Sequence, residues 1–174
     1  MHRIALSLAI ALVIGVSSCD TIPPAVSAIQ PFEKERYLGQ WYEIARFDFS
    51  FEKNLNNTTA NYSLNGDGSI KVVNKGYDTL ANKWTEAEGR AVFTGSDSVA
   101  SLKVSFFGPF YGGYNVIALD TAYTYAMVCG GNKDYLWILS RATTIPEEIK
   151  SDYVNRAKNL GFATENLLWI QHNQ

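Results

Sequence analysis

The chain has 174 residues, which suggests a single domain large enough to bury a sizeable core. Apolar residues make up 47% and charged residues 18% of the chain, and these values exclude an intrinsically disordered protein. A net charge of −2 without any basic run excludes nucleic acid as an expected partner, because phosphate binding needs clustered lysine and arginine.

The N-terminus has the pattern of an export signal. Arg3 supplies a positive charge, and residues 4–16 form an apolar run that is too short to span a bilayer. The next residues, Val16-Ser17-Ser18-Cys19, resemble the bacterial lipobox. This resemblance implies cleavage before Cys19 and lipid attachment to it, which would anchor the protein in a membrane. The alternative is a plain signal peptide with a chance cysteine.

A tether is predicted between this anchor and the folded domain. Residues 19–36 contain three prolines and show little periodicity, as is typical of a spacer. We therefore divide the chain into a lipoprotein signal peptide at 1–18, a lipid anchor and tether at 19–36, and a folded domain at 37–174.

The folded domain shows short runs of alternating apolar and polar residues, separated by turn residues such as Asn-Gly-Asp-Gly at 65–68. This pattern predicts eight sequential strands, at 41–47, 59–64, 70–78, 84–94, 100–107, 113–119, 123–130 and 135–141. One helix is predicted between Pro146 and Gly161, and its apolar residues recur at helical spacing on one face. A last short strand is predicted at 167–171.

These elements predict an all-β fold, an eight-stranded antiparallel up-and-down β-barrel with one C-terminal α-helix packed outside. A barrel of this strand number holds either side chains or one small ligand. The predicted inner faces carry several alanine and glycine residues, which leave room, so we expect a cavity.

Three motifs, in order, resemble the signatures of the lipocalin family. Gly39-Gln40-Trp41 on the first predicted strand resembles the first signature, Asp120 with Tyr123 the second, and Arg141 after the eighth strand the third. With the lipobox, the chain resembles the outer-membrane lipoprotein branch of this family over essentially residues 32–172. Leu119 stands where the family usually has threonine, which puts the capping of that turn in doubt.

The resemblance implies a structural role for the signature residues Gly39, Trp41, Asp120 and Arg141. Trp41 would plug the closed end of the barrel, and Arg141 would lie across its ring in a cation–π contact worth ~0.5–2 kcal/mol. The alternative for Arg141 is an anion site for a carboxylate or phosphate.

Aromatic side chains are the main candidates for a ligand-binding wall. The resemblance implies that Trp137 lines the cavity, and strand alternation adds the other candidates, which are Tyr62, Phe93, Phe106, Tyr114, Val116 and Tyr125. The alternative for each is a place in the core. The segment 48–57 matches the family's long first loop, whose apolar residues Phe49, Phe51 and Leu55 predict a lid, and residues 106–114 form a second aromatic loop. The apolar tips of these two loops would gate the cavity, make a homodimer contact or touch lipid near the anchor.

The sequence contains few of the residues that catalytic sites commonly use. The two histidines, His2 and His172, lie at the ends of the chain, so no histidine-based catalytic or metal site is expected, and we expect no cofactor. Cys129 is either a cavity nucleophile, as in a lipocalin-type isomerase or synthase, or a buried, inert thiol. Glu43 is a candidate buried carboxylate that either meets a polar head group or pairs with a basic residue.

The resemblance implies a lipid-binding envelope lipoprotein without a catalytic step. It would store or transport fatty acids or (lyso)phospholipids for membrane maintenance, at the periplasmic face of the Gram-negative outer membrane. Asp20, directly after Cys19, leaves the inner membrane open as a location. The alternatives are an enzyme that uses Cys129 and a structural lipoprotein with a filled barrel.

Overall fold

A computed structural model describes residues 21–173 of the chain. The predicted signal peptide at 1–18, the predicted lipidation site Cys19 and the adjacent Asp20 lie outside the described residues. The barrel consists of eight strands, β1 (Gly39–Arg46), β2 (Leu55–Leu64), β3 (Ile70–Asp78), β4 (Lys83–Phe93), β5 (Ser101–Phe107), β6 (Phe110–Leu119), β7 (Tyr125–Cys129) and β8 (Leu136–Ser140).

Each strand pairs antiparallel with the next one in the chain, and β1 pairs with both β2 and β8, which closes the barrel. A short strand β9 (Leu168–Trp169) adds to β1. The predicted eight-stranded up-and-down barrel is therefore confirmed. Strands β2 and β6 begin earlier than predicted, because the residues before them also pair with a neighbouring strand.

Two helices flank the barrel. Helix α1 (Lys34–Tyr37) precedes β1, and helix α2 (Glu147–Asn159) packs on the outer surface, as predicted. Tyr153 and Ala157 of α2 are buried against strands β7 and β8 in a cluster called the outer core below, which includes Met127 and Ile138. The Tyr153 hydroxyl donates a hydrogen bond of 2.9 Å to the carbonyl of Tyr125. Within residues 21–173, no helix is long and apolar enough to cross a membrane.

The two ends of the barrel differ. Helix α1 and the β2–β3, β4–β5 and β6–β7 turns lie at one end, called the closed end below. The β1–β2, β3–β4, β5–β6 and β7–β8 loops lie at the other, called the open end. This arrangement follows from the antiparallel order of the strands.

Residues 21–33 lie along the outside of the barrel. The backbone N–H of Ile29 donates to the carbonyl of Val116 at 2.9 Å, and that of Phe32 donates to the carbonyl of Ser98 at 2.8 Å. Val26 and Phe32 are buried. The described part of the segment 19–36, for which we predicted a tether, is thus packed against the barrel from residue 21 onwards.

Candidate ligand-binding site

The barrel encloses a cavity of about 950 Å³. This volume is typical of sites that hold a small organic ligand. The wall is rich in apolar side chains from the seven strands β2 to β8, among them Val72, Ala91, Leu102, Val104, Val128 and Leu139. The barrel is therefore not filled by its own side chains. Of the small residues predicted to face inward, Ala60, Ala87 and Ala91 border the cavity, whereas Gly89 does not and Ala118 packs in the core beneath helix α2.

Four of the seven predicted wall residues border this cavity. They are Trp137, Tyr62, Phe106 and Tyr114. Trp137 pairs with Arg46 across the β1–β8 ladder, and its indole N–H donates to the Glu52 carboxylate at 3.2 Å. The geometry brings these four side chains together around one volume, where an apolar ligand would contact them.

The other three, Phe93, Val116 and Tyr125, are not on the cavity wall. Val116 is completely buried in the core that fills the closed end, and Phe93 packs beside Phe32 in the same core with ring centroids 6.3 Å apart. Tyr125 packs in the outer core with helix α2. Alternation predicts which side chains of a strand face inward, but it does not predict how deep the cavity extends. Val116 faces inward but lies below the cavity floor.

The predicted lid residues lie at the mouth. Phe51 and Leu55 border the cavity, although Leu55 is the first residue of β2 rather than part of the loop. Phe49 is buried beneath them, and its ring stacks on Phe51 at 5.3 Å and contacts Trp137 at 4.7 Å. The aromatic cluster thus joins the β1–β2 loop to the cavity wall.

A buried charged cluster lies on the wall near the mouth. The Arg46 Nε is 2.8 Å from Oε1 of Glu43 and 3.8 Å from Oε2 of Glu52, and all three residues are buried. Arg46 also donates to the carbonyl of Glu52 at 2.6 Å, and Thr58 donates to Glu43 at 3.1 Å. Of the two fates open to Glu43, the structure therefore shows pairing with a basic residue, and Glu43 also borders the cavity.

Two carboxyl groups share one guanidinium in this cluster. Burial, the largest cause, raises the pKa of Glu43 well above its ordinary value, and repulsion from Glu52 raises it further against the attraction of Arg46. Burial also raises the pKa of Glu52. A carboxyl group that keeps its proton can donate a hydrogen bond to a ligand, whereas a carboxylate can only accept one.

Three tyrosine hydroxyls meet at the cavity floor. The hydroxyl of Tyr114 lies 2.7 Å from that of Tyr37 and 2.8 Å from that of Tyr62, and burial raises the pKa of all three. Three neutral hydroxyls carry three protons but share two hydrogen bonds. One proton therefore remains for an acceptor such as a water molecule or a ligand oxygen.

The signature residues form the closed end. The Arg141 guanidinium carbon lies 3.9 Å from the centre of the Trp41 ring, and its nitrogen atoms donate to five main-chain carbonyls, those of Arg36, Tyr37, Leu38, Gln40 and Tyr123. Trp41 is fully buried. Gly39 has a φ of +90°, which explains why glycine starts the motif. The guanidinium of Arg141 is therefore paired with main-chain carbonyls and the Trp41 ring, which supports the structural role over an anion-binding site.

Asp120 organises the turn between β6 and β7. Its Oδ1 accepts hydrogen bonds from the backbone N–H groups of Thr124 at 2.7 Å and Tyr125 at 2.6 Å, and its Oδ2 accepts one from Ala122 at 3.1 Å. Leu119 ends β6, so the turn is capped by Asp120 without a threonine at that position. Asp120 thus acts at a distance from the cavity wall.

Cys129 does not reach the cavity wall. It is fully buried in the outer core, and burial raises the pKa of its thiol to about 12. A protonated thiol is a poor nucleophile. Among residues 21–173 no group of histidine, cysteine and acidic side chains has the geometry of a metal site.

The sequence prediction did not include Arg46, Glu52 and Thr58. Arg46 and Glu52 look like ordinary surface residues in the sequence, and a β-bulge between Glu43 and Ala45 is what turns Glu43 and Arg46 to the same side of β1. Neither glutamate at 43 nor alanine at 45 is a residue type that predicts a β-bulge. The one available signal for Arg46 was the expectation that a buried Glu43 could pair with a basic residue.

Known proteins resemble the chain throughout its folded part. Residues 32–172 match the family model described as a lipocalin-like domain. The chain is 54% identical to the outer membrane lipoprotein Blc of Citrobacter freundii, over 92% of this chain and 90% of that protein. It is 51% identical to the outer membrane lipoprotein Blc of Escherichia coli strain K12, over 97% and 94% of the two chains.

Solved structures agree on the fold. Insecticyanin from the tobacco hornworm Manduca sexta superposes with a TM-score of 0.71 at 19% identity, over 88% of each chain. At that identity the likeness concerns the fold alone. Together, the matched family model and the relatives that are more than half identical show that this chain belongs to the lipocalin family.

Proposed function

We propose that this lipocalin is a lipid-anchored protein of the Gram-negative outer membrane that binds a fatty acid or lysophospholipid and stores or transports it for membrane maintenance. The observation that carries the proposal is the apolar cavity of about 950 Å³ inside the barrel. Relatives that are named outer membrane lipoproteins support the location and the acylation of Cys19.

The charged groups near the mouth support an orientation with the head group at the open end, and the hydroxyl cluster of Tyr37, Tyr62 and Tyr114 at the floor is left to a water molecule. The acyl chain lies along the Trp137 wall, where each buried CH₂ contributes ~0.8 kcal/mol. The head group lies near the open end, because Arg46 ends β1 and Glu52 belongs to the β1–β2 loop. There Glu43 and Glu52 offer hydrogen-bonding oxygens on the cavity wall.

Quenching of intrinsic fluorescence tests whether the acyl chain lies along the Trp137 wall. A fatty acid brominated along its chain should quench Trp137, which borders the cavity, and Trp137→Phe should remove most of the quenching. Trp84→Phe is the matched control, because Trp84 is half-exposed and not on the cavity wall. Quenching that survives in Trp137→Phe would contradict contact of the acyl chain with this wall.

Native mass spectrometry of the purified protein tests binding itself. A co-purifying acyl species, or one that rebinds after delipidation, supports the proposal. A protein that takes up no lipid after delipidation contradicts it. The alternative of an enzyme that uses Cys129 predicts that Cys129→Ala abolishes any turnover of a bound lipid; retained turnover dismisses that role.

Membrane fractionation tests the location. The wild-type protein should be recovered with the outer membrane, and Asp20→Ser is the control for retention at the inner membrane by the residue after Cys19. Recovery of the wild type, but not of Asp20→Ser, with the inner membrane would overturn the outer-membrane assignment.

A further inference from the structure

Exposed apolar side chains cluster around the mouth of the cavity. All four open-end connections carry at least one of them: Phe51 lies in the β1–β2 loop, Leu80 in the β3–β4 loop and Tyr135 in the β7–β8 loop, and Phe107 and Phe110 are the last residue of β5 and the first of β6. Phe107 and Phe110 are 81% and 78% exposed. Among the large hydrophobic side chains that are exposed in residues 21–173, Leu64 is the one at the closed end. Exposed apolar groups gathered on one face mark an interaction surface.

The described chain begins beside the same mouth. The Thr21 carbonyl accepts a hydrogen bond of 2.6 Å from Nδ2 of Asn115, and Asn115 pairs with Cys129, the last residue of β7. A side chain at Gly113 would overlap the Thr21 carbonyl oxygen, so glycine permits this close approach. Residue 21 is thereby fixed next to the β7–β8 loop.

The distance to the anchor is short. Cys19 is two residues from Thr21, and two fully extended residues span at most about 7 Å. Lipid on Cys19 therefore enters the bilayer close to the open end, and the described part of the predicted tether cannot lift the barrel away, because it is packed along the barrel wall.

Side-chain chemistry at the rim suits a bilayer surface. Tyrosine is enriched at the boundary between hydrocarbon and water, and phenylalanine and leucine form the membrane-buried face of segments that lie in this boundary. The full chain has a net charge of −2, so it has no net electrostatic pull toward anionic lipid. Contact at this rim would thus be apolar and insensitive to salt.

We propose that the open end is a membrane-docking surface, in which the rim aromatics enter the head-group region of the leaflet that holds the Cys19 lipid. The cavity mouth then opens directly onto the bilayer. This inference rests on the acylation of Cys19 under the proposed function. The occupant of the surface is the phospholipid leaflet, and a second copy of the chain is the competing outcome.

Spin labels on the full-length acylated protein in phosphatidylethanolamine–phosphatidylglycerol vesicles test the orientation. Phe110→Cys places a label on the rim, and Leu64→Cys places the matched label at the closed end, where Leu64 is 48% exposed. The native Cys129 is fully buried and its raised thiol pKa slows background labelling. The ratio of relaxation by oxygen to relaxation by a water-soluble nickel chelate should be severalfold higher at 110 than at 64, in low and high salt alike.

Each other outcome is decisive. Equal ratios at the two positions, or an intact mass without lipid on Cys19, overturn the docking. A label at 110 that is immobilised in detergent without vesicles, together with a doubled mass, overturns it in favour of a homodimer. Fluorescence quenching through Trp137 is read on the same samples, so a protein that binds lipid but keeps both labels in water refutes the docking alone.

Discussion

At the residue scale, Trp41 and Arg141 hold the closed end of the barrel. Trp41 is fully buried, its indole N–H donates to the Tyr37 carbonyl at 2.8 Å, and its ring carries the Arg141 guanidinium. These contacts join helix α1, strand β1 and the end of β8 at one point. The pair therefore contributes to stability away from the cavity mouth.

Trp41→Ala should lower the free energy of unfolding by about 3–5 kcal/mol, since it leaves a cavity in the core and removes the ring beneath Arg141. Ligand preference should stay the same, because Trp41 does not border the cavity. Urea denaturation and competition between fatty acids measure the two effects. Trp169→Ala, at a half-exposed tryptophan, is the control with a small loss; altered selectivity in a stable Trp41→Ala protein would contradict this role.

The buried Glu43 makes stability depend on pH. Burial raises its pKa well above the ordinary 4.5, so the folded protein holds this proton more tightly than the unfolded chain does. The resulting stabilisation is complete below about pH 4.5 and is lost as the pH rises through the folded-state pKa. Glu52 acts in the same direction, because burial raises its pKa too.

Glu43→Gln should flatten the decline in unfolding free energy that sets in above about pH 4.5, because glutamine cannot lose a proton. The other titratable groups near residue 43, which are Arg46, Glu52, Tyr62 and His172, are unchanged in this variant. Glu165→Gln, at an exposed position, is the matched control and should keep the wild-type profile. Identical profiles for all three proteins would refute the assignment.

At the element scale, the N-terminal segment behaves as part of the barrel rather than as a spacer. Its proline content and lack of periodicity predicted a tether, but the backbone of residues 29 and 32 bonds to the barrel, and Val26 and Phe32 are buried. A segment without periodicity can still dock if a few apolar residues fit a groove, and no local pattern reveals that groove.

Gly113→Ala should release the start of this segment, because the added methyl group would collide with the Thr21 carbonyl oxygen and the Gly131 backbone. We expect faster hydrogen exchange in residues 22–29, with fatty-acid binding retained. Gly112→Ala is a close control, since a Cβ there meets open space. Equal exchange in the two variants would show that the docking does not depend on this approach.

The strands and helix α2 could be predicted from the sequence because each depends on local alternation, helical spacing and turn residues. The lining could be predicted only in part. Tyr62, Phe106, Tyr114 and Trp137 border the cavity, whereas Val116 lies below its floor and Tyr125 packs outside, since depth and strand register depend on the whole barrel. The pairing of Glu43 with Arg46 depends on a bulge with no sequence signal.

At the scale of the whole molecule, the cavity couples ligand binding to stability. A ligand that binds the folded protein alone raises the free energy of unfolding by about 2.7 kcal/mol at a hundredfold excess over its Kd. A long-chain fatty acid should therefore raise the melting temperature, whereas butyrate, which leaves most of the 950 Å³ unfilled, should not. Differential scanning fluorimetry compares the two; equal shifts would argue against occupancy of the cavity by the acyl chain.

Within residues 21–173, the core around Trp41 fills the closed end, so the cavity opens at the opposite end of the barrel. A ligand must leave by the route through which it entered, so the barrel acts as a container and not as a channel between two compartments. If the cavity mouth faces the leaflet that holds its own anchor, the protein equilibrates with that leaflet alone. Its physiological effect would then scale with copy number, as in a buffer, because each barrel withdraws at most one cavity's worth of lipid and returns it to the same place.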